Sequence, residues 1–416
     1  MDAPGRPIGF RPPISGMFMR RTASSLLMSV MGVATAIAAA LPQRALAEDA
    51  AAPTLSLSAE LTSDVSTVVA GGFDHRTRYL QNIDLVADVD LDRAANISGT
   101  TLHIDLLHNA GAFANNGVGT LQCIDNIEVW DPKLRVFEAW VEKDLGGRAA
   151  LRAGLLDLNS DFYSTPSAGL LVAPPFGIGS ELAATGPAGP SIFPITALGA
   201  RLETKVGKTG YVRAAVYNAR PGLRGGGPGS ALSFDKGVLA TAQAGVGDAQ
   251  NISVGVWAYS QKADNIWLTI LGFPEATKRS QGAYMMVEQP LLARDDRSLT
   301  AFARFGISDG KTSLFKGGWQ AGVLATGVFR ARPDSQASLG VAQGALAGGF
   351  RNILNAGGTK PAKAESMIEA TYSDRIASFL TVQPDILYVI HPGGDARAKD
   401  ALIFNLRFTV RFSHTR

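Results

Sequence analysis

The sequence predicts an all-β fold, and three observations favour a transmembrane antiparallel β-barrel over a soluble β-sandwich. Apolar and polar residues alternate strictly in many segments, as in "ALIFNLRFTVRF", where Phe404 and Phe408 share one face and Arg407 lies on the other. The polar faces repeatedly carry ionised groups, which a packed core does not accommodate without partners. The first 47 residues have the pattern of an export signal.

The leader has the three parts of a signal peptide. Arg20 and Arg21 are the basic part, residues 26–41 are apolar, and "ALA" at 45–47 is a small-residue cleavage pattern. We therefore predict a signal peptide over residues 1–47 and one barrel domain over residues 48–416. Because the leader carries five Arg and one Asp, the formal charge of +3 becomes about −1 without it, which argues against nucleic-acid binding.

Composition agrees with a β-rich chain that has many turns. The 416 residues include 46 Gly and 21 Pro, with 46 % hydrophobic and 18 % charged residues, a balance that is not typical of disorder. A single cysteine, Cys123, allows no internal disulfide. No apolar stretch after residue 47 is long enough to cross a membrane as a helix.

The predicted strands follow one another between turn signals. Their segments are residues 79–91, 100–108, 134–144, 149–157, 197–206, 211–218, 251–260, 283–292, 299–308, 319–329, 337–346, 366–374, 379–390 and 401–412. Short turns are predicted at 146–147, 207–210 and 294–298, and longer Pro/Gly-rich loops at 164–194 and 220–230. Short turns at one end with long loops at the other are typical of a transmembrane barrel.

The sequence contains no recognisable catalytic or metal-binding pattern. The five histidines lack metal-ligand spacing, and no G-x-S-x-G nucleophile elbow occurs. Glu138 and Glu142 are four residues apart on one strand face, so we interpret them as neighbouring charges in the lumen and not as a glycosidase pair. We predict no enzyme activity, no metal and no cofactor.

Several segments, in order, resemble the carbohydrate-selective porin family of the OprB type. Residues 79–111 are similar to the family's opening hairpin. Residues 117–162 resemble its most recognisable stretch, with "VFEAW" at 136–140 in place of an R-L-Y-E-A-W-like run. The resemblance covers about Leu61 to Phe412. It implies an outer-membrane barrel of about sixteen strands for passive, selective diffusion of carbohydrates, monosaccharides such as glucose, into the periplasm. The four residues after Phe412 depart from the family pattern.

The pore-lining candidates are residues at the positions of each strand that are predicted to face the lumen. Arg and carboxylate side chains offer hydrogen bonds that replace those of a sugar with water, and aromatic rings can stack on the faces of a pyranose. The candidates are Glu138, Trp140, Arg152, Arg201, Arg213, Tyr217, Trp257, Arg304, Glu369, Asp385 and Arg407.

The expected partners are sugars and outer-membrane lipid, with the protein a monomer or homo-trimer. Two alternatives remain at this stage for a membrane barrel. One is a general or anion-preferring diffusion porin, and the other is a plugged outer-membrane enzyme or surface-polysaccharide barrel. An exported soluble β-protein is a further alternative.

Overall fold

The computed structural model describes residues 53–186, 189–222, 234–235, 237–247, 251–273, 276–294 and 296–416. The predicted signal peptide lies outside these ranges. No helix in the described ranges is long and apolar enough to cross a membrane.

In the described residues, sixteen antiparallel strands close into one barrel, which confirms the predicted fold class. Each strand pairs with its neighbours in the chain, and β1 pairs with β16 to close the sheet. The strands are β1 Leu55–Ala70, β2 Arg78–Asp90, β3 Thr100–Gly111, β4 Leu134–Asp144, β5 Ala149–Leu156, β6 Ala197–Val206, β7 Gly210–Asn218, β8 Val238–Gly247, β9 Asn251–Asp264, β10 Ala276–Arg294, β11 Arg297–Ser308, β12 Phe315–Thr326, β13 Gln336–Leu346, β14 Ala364–Ala377, β15 Leu380–Ile390 and β16 Ala401–Thr415.

Helices occur only in the connections between described strands. They are α1 Leu91–Ala95, α2 Leu158–Asp161, α3 Ser180–Ala183, α4 Ile266–Ile270 and α5 Gly348–Ala356, with short 3₁₀ helices at Ala114–Gly117, Pro166–Ala168, Pro174–Phe176 and Pro392–Gly394.

The two ends of the barrel differ in the length of their connections. The longest connections, residues 112–133 and 157–196, lie at one end, which we call the loop end. Both described chain ends lie at the opposite end, the turn end, where 207–209 and 378–379 join strands tightly. This asymmetry matches the predicted short turns and the predicted long loop at 164–194, whereas residues 223–230 of the predicted loop at 220–230 lie outside the described residues.

Strand β16 shows how the alternating pattern is used. Asn405 is fully buried on the inner side, whereas Phe404 is 40 % exposed on the outer side, where a barrel meets lipid. The residues after Phe412 continue the same strand, with Ser413 opposite Ser58 and His414 opposite Leu57 of β1. The departure from the family pattern is therefore an extension of the seam that closes the barrel.

The two longest loops fold into the barrel and bring apolar side chains with them. One apolar cluster joins the β3–β4 loop (112–133) and the β5–β6 loop (157–196) to the inner wall at β14–β16, through residues such as Ile124, Phe176 and Ile403. A second cluster joins the β5–β6 loop to β7–β10, through residues such as Phe162 and Trp257. The lumen therefore contains apolar packing as well as charge.

Candidate functional site

The β5–β6 loop is held against the far wall by charged side chains of the strands. Arg304 on β11 is fully buried and donates to the backbone carbonyls of Pro175 at 2.7 Å and Gly177 at 3.0 Å. Glu369 on β14, also fully buried, accepts from the N–H groups of Val172 and Ala173. Buried backbone groups need partners, so these two side chains let irregular backbone lie inside the barrel.

The β3–β4 loop is anchored in the same way. Glu365 on β14 accepts from the N–H groups of Leu121 at 3.0 Å and Gln122 at 3.1 Å. Gln122 in turn accepts from the hydroxyl of Ser180, at 2.6 Å, which joins the two loops. Each loop is therefore fixed to the inner wall and to the other loop inside the barrel.

A cavity of about 720 Å³ opens between the two loops at the loop end. Its lining combines aromatic surface with hydrogen-bonding groups. We call it the mouth cavity, and the lining residues that matter below are Phe113, Gln122, Asp125, Asn126, Glu128, Trp130, Asp131, Lys133, Arg135, Asp157, Asn159 and Phe193.

Three carboxyl groups of the mouth cavity have raised pKa values, and burial raises the pKa of Asp125 well above its ordinary value. Burial raises the pKa of Glu128 to about 7, even though its carboxylate accepts from the N–H groups of Asn115 and Ile124. Burial, together with the negative charge of Glu138, raises the pKa of Asp157 to about 7. The charge of the mouth therefore changes with pH near neutrality.

Three arginines and three carboxylates form a network below the mouth cavity. Arg152, Arg201 and Arg213 lie on the consecutive strands β5, β6 and β7, and they alternate with Glu142, Asp161 and Glu203. We call this set the arginine ladder.

Arg201 is the centre of the arginine ladder. Its guanidinium lies 3.0 Å from Glu142, 3.2 Å from Asp161 and 3.2 Å from Glu203, and its side chain is only 5 % exposed. Arg213, in contrast, is 27 % exposed at its side chain and pairs with Glu203. The ladder thus has a buried centre at Arg201 and a more exposed edge at Arg213.

Trp140 is enclosed on both faces. The His103 ring stacks on it with centroids 4.6 Å apart, and the Arg152 guanidinium lies 4.0 Å from the ring centroid. His103 is held by Asp88, with Nδ1 and Oδ1 2.7 Å apart. The stacking surface that the sequence analysis assigns to Trp140 is therefore already covered by protein.

The predicted pore-lining residues fall into three groups by position. Glu138, Trp140, Arg152, Arg201 and Arg213 lie together on β4–β7, where Glu138 accepts from the Asp157 N–H at 2.9 Å. The second group lies on the opposite wall and consists of Arg304, Glu369, Asp385 and Arg407. Arg304 and Glu369 hold the β5–β6 loop, and Asp385 accepts a hydrogen bond from Asn405. Arg407 pairs with Asp64 and donates a hydrogen bond to Asn126 of the β3–β4 loop. Tyr217 and Trp257 are buried in the second apolar cluster.

Sequence reasoning missed a set of glycines on the inner wall. A Cβ at Gly255 would lie 2.1 Å from the Tyr284 ring, one at Gly282 would lie 2.5 Å from the Trp257 ring, and one at Gly199 would lie 2.8 Å from the Tyr217 ring. Aromatic rings thus occupy the space in which a side chain at these glycines of the neighbouring strand would lie. The sequence signal for this arrangement is a glycine at an inward-facing position of one strand, beside an inward-facing aromatic residue of the neighbouring strand.

The described residues contain no group of three or more His, Cys, Asp or Glu side chains placed to hold a metal ion.

The sequence matches the carbohydrate-selective porin, OprB family, over residues 74–412. This chain belongs to that family. As an OprB-family member it is similar to Porin B of Pseudomonas aeruginosa, with 22 % identity over 395 residues that cover 85 % of this chain and 86 % of the relative.

Solved structures share the fold of this OprB-family chain. A high-pH structure of Pseudomonas putida OprB is similar with a TM-score of 0.77 and 19 % identity, covering 86 % of this chain and 94 % of that one. An anion-selective porin from Comamonas acidovorans is similar with a TM-score of 0.52 and 11 % identity, covering 86 % of this chain and 99 % of that one. At these identities the likeness concerns the fold.

Proposed function

We propose that this protein is an outer-membrane porin for passive, selective diffusion of carbohydrates, monosaccharides such as glucose, into the periplasm. The proposal rests on the position of residues 157–161, which line the mouth cavity at one end and belong to the arginine ladder at the other. Asp157 and Asn159 line the cavity, and Asp161 belongs to the ladder. The same short segment therefore connects a partly aromatic vestibule with a charged wall.

The chemistry of this path suits an uncharged, hydroxyl-rich solute. Arginines offer several N–H donors and carboxylates offer acceptors, so a sugar exchanges its hydration for hydrogen bonds as it moves. Because the ladder's charges are already paired, each contact with a sugar is weak enough to be released. Trp130 stacks on Phe113 with ring centroids 3.6 Å apart but is still 63 % exposed at the mouth, so it offers an open aromatic surface that Trp140 lacks.

The charges in the mouth cavity oppose anion preference. Its lining carries Asp125, Glu128, Asp131 and Asp157 against Lys133 and Arg135. Because burial raises the pKa of Glu128 and of Asp157 to about 7, the carboxyls of the mouth repel anions most strongly above that pH, whereas neutral sugars are unaffected at any pH. The anion-preferring alternative from the sequence analysis is therefore the less favoured one.

Liposome swelling tests the proposal with glucose, sucrose and gluconate as osmolytes. We expect glucose to enter faster than sucrose, and gluconate to enter more slowly than glucose. Gluconate entering at least as fast as glucose would support an anion-preferring porin, and no swelling with glucose would sink the proposal.

A matched pair of variants connects the assay to the ladder. Arg213→Gln removes an accessible ladder cation, whereas Arg411→Gln removes an exposed lumen-side cation near the turn end that pairs with Glu60. We expect slower glucose entry in the first variant and no change in the second. Equal rates in both would show that sugar does not contact the ladder.

The proposal also includes a signal peptide over residues 1–47. Its cleavage after residue 47 is tested by the intact mass of the exported protein. The monomer and the homo-trimer are distinguished by the mass of the protein in detergent. The OprB family is a porin family, and we propose that the chain carries no catalytic activity.

A further inference from the structure

Two carboxyl groups are hydrogen-bonded to each other inside the barrel, that of Glu369 on β14 and that of Asp385 on β15. Asp385 lies opposite Thr371, two positions along β14 from Glu369, so the two residues are diagonal neighbours on the inner wall. Both are at most 1 % exposed. Because an ionised carboxylate has no hydrogen to donate, this contact exists only while the two groups share a proton. We call the two groups the carboxyl pair.

The other contacts of the carboxyl pair give each member a different attachment. Both oxygens of Glu369 accept from the β5–β6 loop, from the N–H groups of Val172 and Ala173. Oδ1 of Asp385 accepts from the Asn405 side chain on β16 at 2.9 Å. Oδ2 of Asp385 is buried, and among the described residues no N–H or hydroxyl donates to it. The shared proton therefore joins a carboxyl that is bound to the wall to one that is bound to the loop.

The charges around the carboxyl pair do not neutralise a second anion. Among the described residues neither member of the pair has a cation within 4.0 Å. Arg407 on β16 acts on the pair from farther away, and its guanidinium already lies 2.6 Å from Asp64 of β1 and 3.4 Å from Asp125 of the β3–β4 loop. One arginine thus faces the pair and two further carboxyl groups.

The remaining surroundings of the carboxyl pair add no positive charge. Glu365, four residues before Glu369 on β14, accepts from the β3–β4 loop. Strand β13, on the other side of β14, contains no titratable residue, and neither does the loop segment 166–178. A second ionised carboxylate would therefore be both buried and unpaired, which is costly.

A third contact shows how closely the loop follows this part of the wall. The Gln383 amide on β15 donates to the Leu170 carbonyl at 2.7 Å and to the Thr371 hydroxyl at 2.9 Å. The loop backbone from 170 to 173 is thus bound to β14 and β15 by the carboxyl pair and its neighbour. A change in the pair acts directly on this segment.

We propose that the carboxyl pair is a pH-sensitive latch, which holds the β5–β6 loop on the inner wall while the shared proton is present and releases it when the proton is lost. Water or hydroxide takes the proton, and two adjacent carboxylates remain. Asp385 is fixed to the wall by Asn405, so the two anions separate by movement of the Glu369 side chain and the attached loop toward lumen water. The latch rests on the proposed porin function, because release is expected to widen a conducting passage.

The direction of the pH effect follows from the number of protons bound. The latched state binds one proton more than the released state, in which both carboxylates are hydrated and ionised. Rising pH therefore favours release, by up to about tenfold per pH unit in the ratio of the two states. The loop is expected to be held at acid pH and released at alkaline pH.

Two readouts test the latch on the full barrel at pH 5, 7 and 9. One is single-channel conductance in planar bilayers with 1 M KCl, which screens the charges of the mouth cavity. The other is hydrogen–deuterium exchange of the peptide that contains Val172 and Ala173, corrected for the intrinsic effect of pH. For the wild type we expect conductance to increase with pH and corrected exchange to rise by up to about tenfold per pH unit.

The decisive variant is Asp385→Asn. Its amide donates to Glu369 at every pH and its carbonyl still accepts from Asn405, so it reproduces the protonated pair permanently. We expect its conductance and exchange to stay at the wild-type values of pH 5. Glu60→Gln, which removes an inner-wall carboxylate that pairs with Arg411, is the control and should respond to pH like the wild type.

Three results would overturn the latch: a wild type that does not change with pH in either readout, an Asp385→Asn variant that follows the wild type, or one that is already released at pH 5. Heat modifiability on gels shows that each variant is folded, and the wild-type pH series decides the question even if Asp385→Asn does not fold. Neither readout involves a sugar. Failure of glucose entry would therefore contradict the proposed function without affecting the test of the latch.

Discussion

The carboxylate of Glu369 on β14 accepts a hydrogen bond of 2.9 Å from the backbone N–H of Ala173, a residue of the β5–β6 loop that crosses the lumen. A second bond comes from the neighbouring N–H of Val172. A fully buried carboxylate thus fixes an irregular segment to a wall distant from the strands that the loop connects. Contacts of this kind keep the loop inside the barrel.

Replacing Glu369 is expected to widen the passage. Glu369→Ala leaves two buried N–H groups without an acceptor, at a cost of about 1–3 kcal/mol for each, so the loop should leave the wall. We expect faster sucrose entry relative to glucose and a larger single-channel conductance. Glu60→Gln, which removes a carboxylate near the turn end that contacts neither loop, is the control. An unchanged sucrose-to-glucose ratio in Glu369→Ala contradicts the expectation.

Replacing Arg201 is expected to destabilise the wall. Arg201→Met leaves Glu142, Asp161 and Glu203 short of their shared cation, and breaking a buried ion network costs about 3–5 kcal/mol. The unfolding midpoint in guanidinium should fall accordingly. Arg201→Lys keeps the positive charge but loses the forked guanidinium. We therefore expect its unfolding midpoint to lie between those of the wild type and Arg201→Met. A midpoint equal to the wild type in Arg201→Met would show that the network does not stabilise the barrel.

Replacing Trp140 separates packing from sugar stacking. Because His103 and Arg152 cover both ring faces, Trp140→Phe should change glucose entry by less than about twofold, since stacking on an exposed ring would contribute more than this. Trp130→Ala removes an open aromatic surface at the mouth and is expected to slow glucose entry more strongly. The reverse order of effects would assign the stacking role to Trp140.

Ion selectivity is expected to depend on pH. Burial raises the pKa of Glu128 and of Asp157 to about 7, so both carboxyls are protonated and neutral below that pH and negative above it. The ratio of cation to anion permeability, from reversal potentials in planar bilayers, should therefore increase between pH 5 and pH 9. The double variant E128Q/D157N should lose this dependence.

The control for the pH experiment is a loop-end carboxylate that does not titrate in this range. A hydrogen bond from the Arg76 side chain lowers the pKa of Asp74 to about 2, so it is ionised throughout. Asp74→Asn should leave the slope with pH in place. A flat response in the wild type would show that Glu128 and Asp157 do not influence permeant ions.

A glycine under an aromatic ring is expected to be essential for assembly. Gly255→Val places a Cβ 2.1 Å from the Tyr284 ring, and overpacking of this kind costs about 1–3 kcal/mol or more. We expect a large fall in the yield of heat-modifiable, folded barrel. Gly348→Val, where the added Cβ meets nothing within 4 Å, should fold normally. Equal yields would show that the inner wall has room to repack.

The alternating pattern did not reveal strands β1 and β8. No segment was predicted at β8, whose inward residues include Thr241, Gln243 and Gly245, because small and weakly polar residues produce little contrast between faces. The Ser- and Thr-rich β1 was also missed, although Glu60 and Asp64 lie on its inner face and pair with Arg411 and Arg407. Strands with Arg or Asp at alternate positions, such as β2 and β16, were identified because their two faces differ strongly.

The sequence by itself determined the alternation of faces, the order of strands and the family. Covalent geometry places successive side chains on opposite sides of a strand. Because one side meets lipid and the other meets water or loops, apolar and polar residues alternate with a period of two, which can be read from a short stretch of sequence. Only the tertiary structure decided what the inward residues do. Glu369 and Val172 are 197 positions apart in the sequence. Loop sequences show no periodic pattern, so nothing in them indicates which strands they will contact. Arg213 is therefore partly exposed, whereas Arg304, of the same predicted class, is buried beneath a loop.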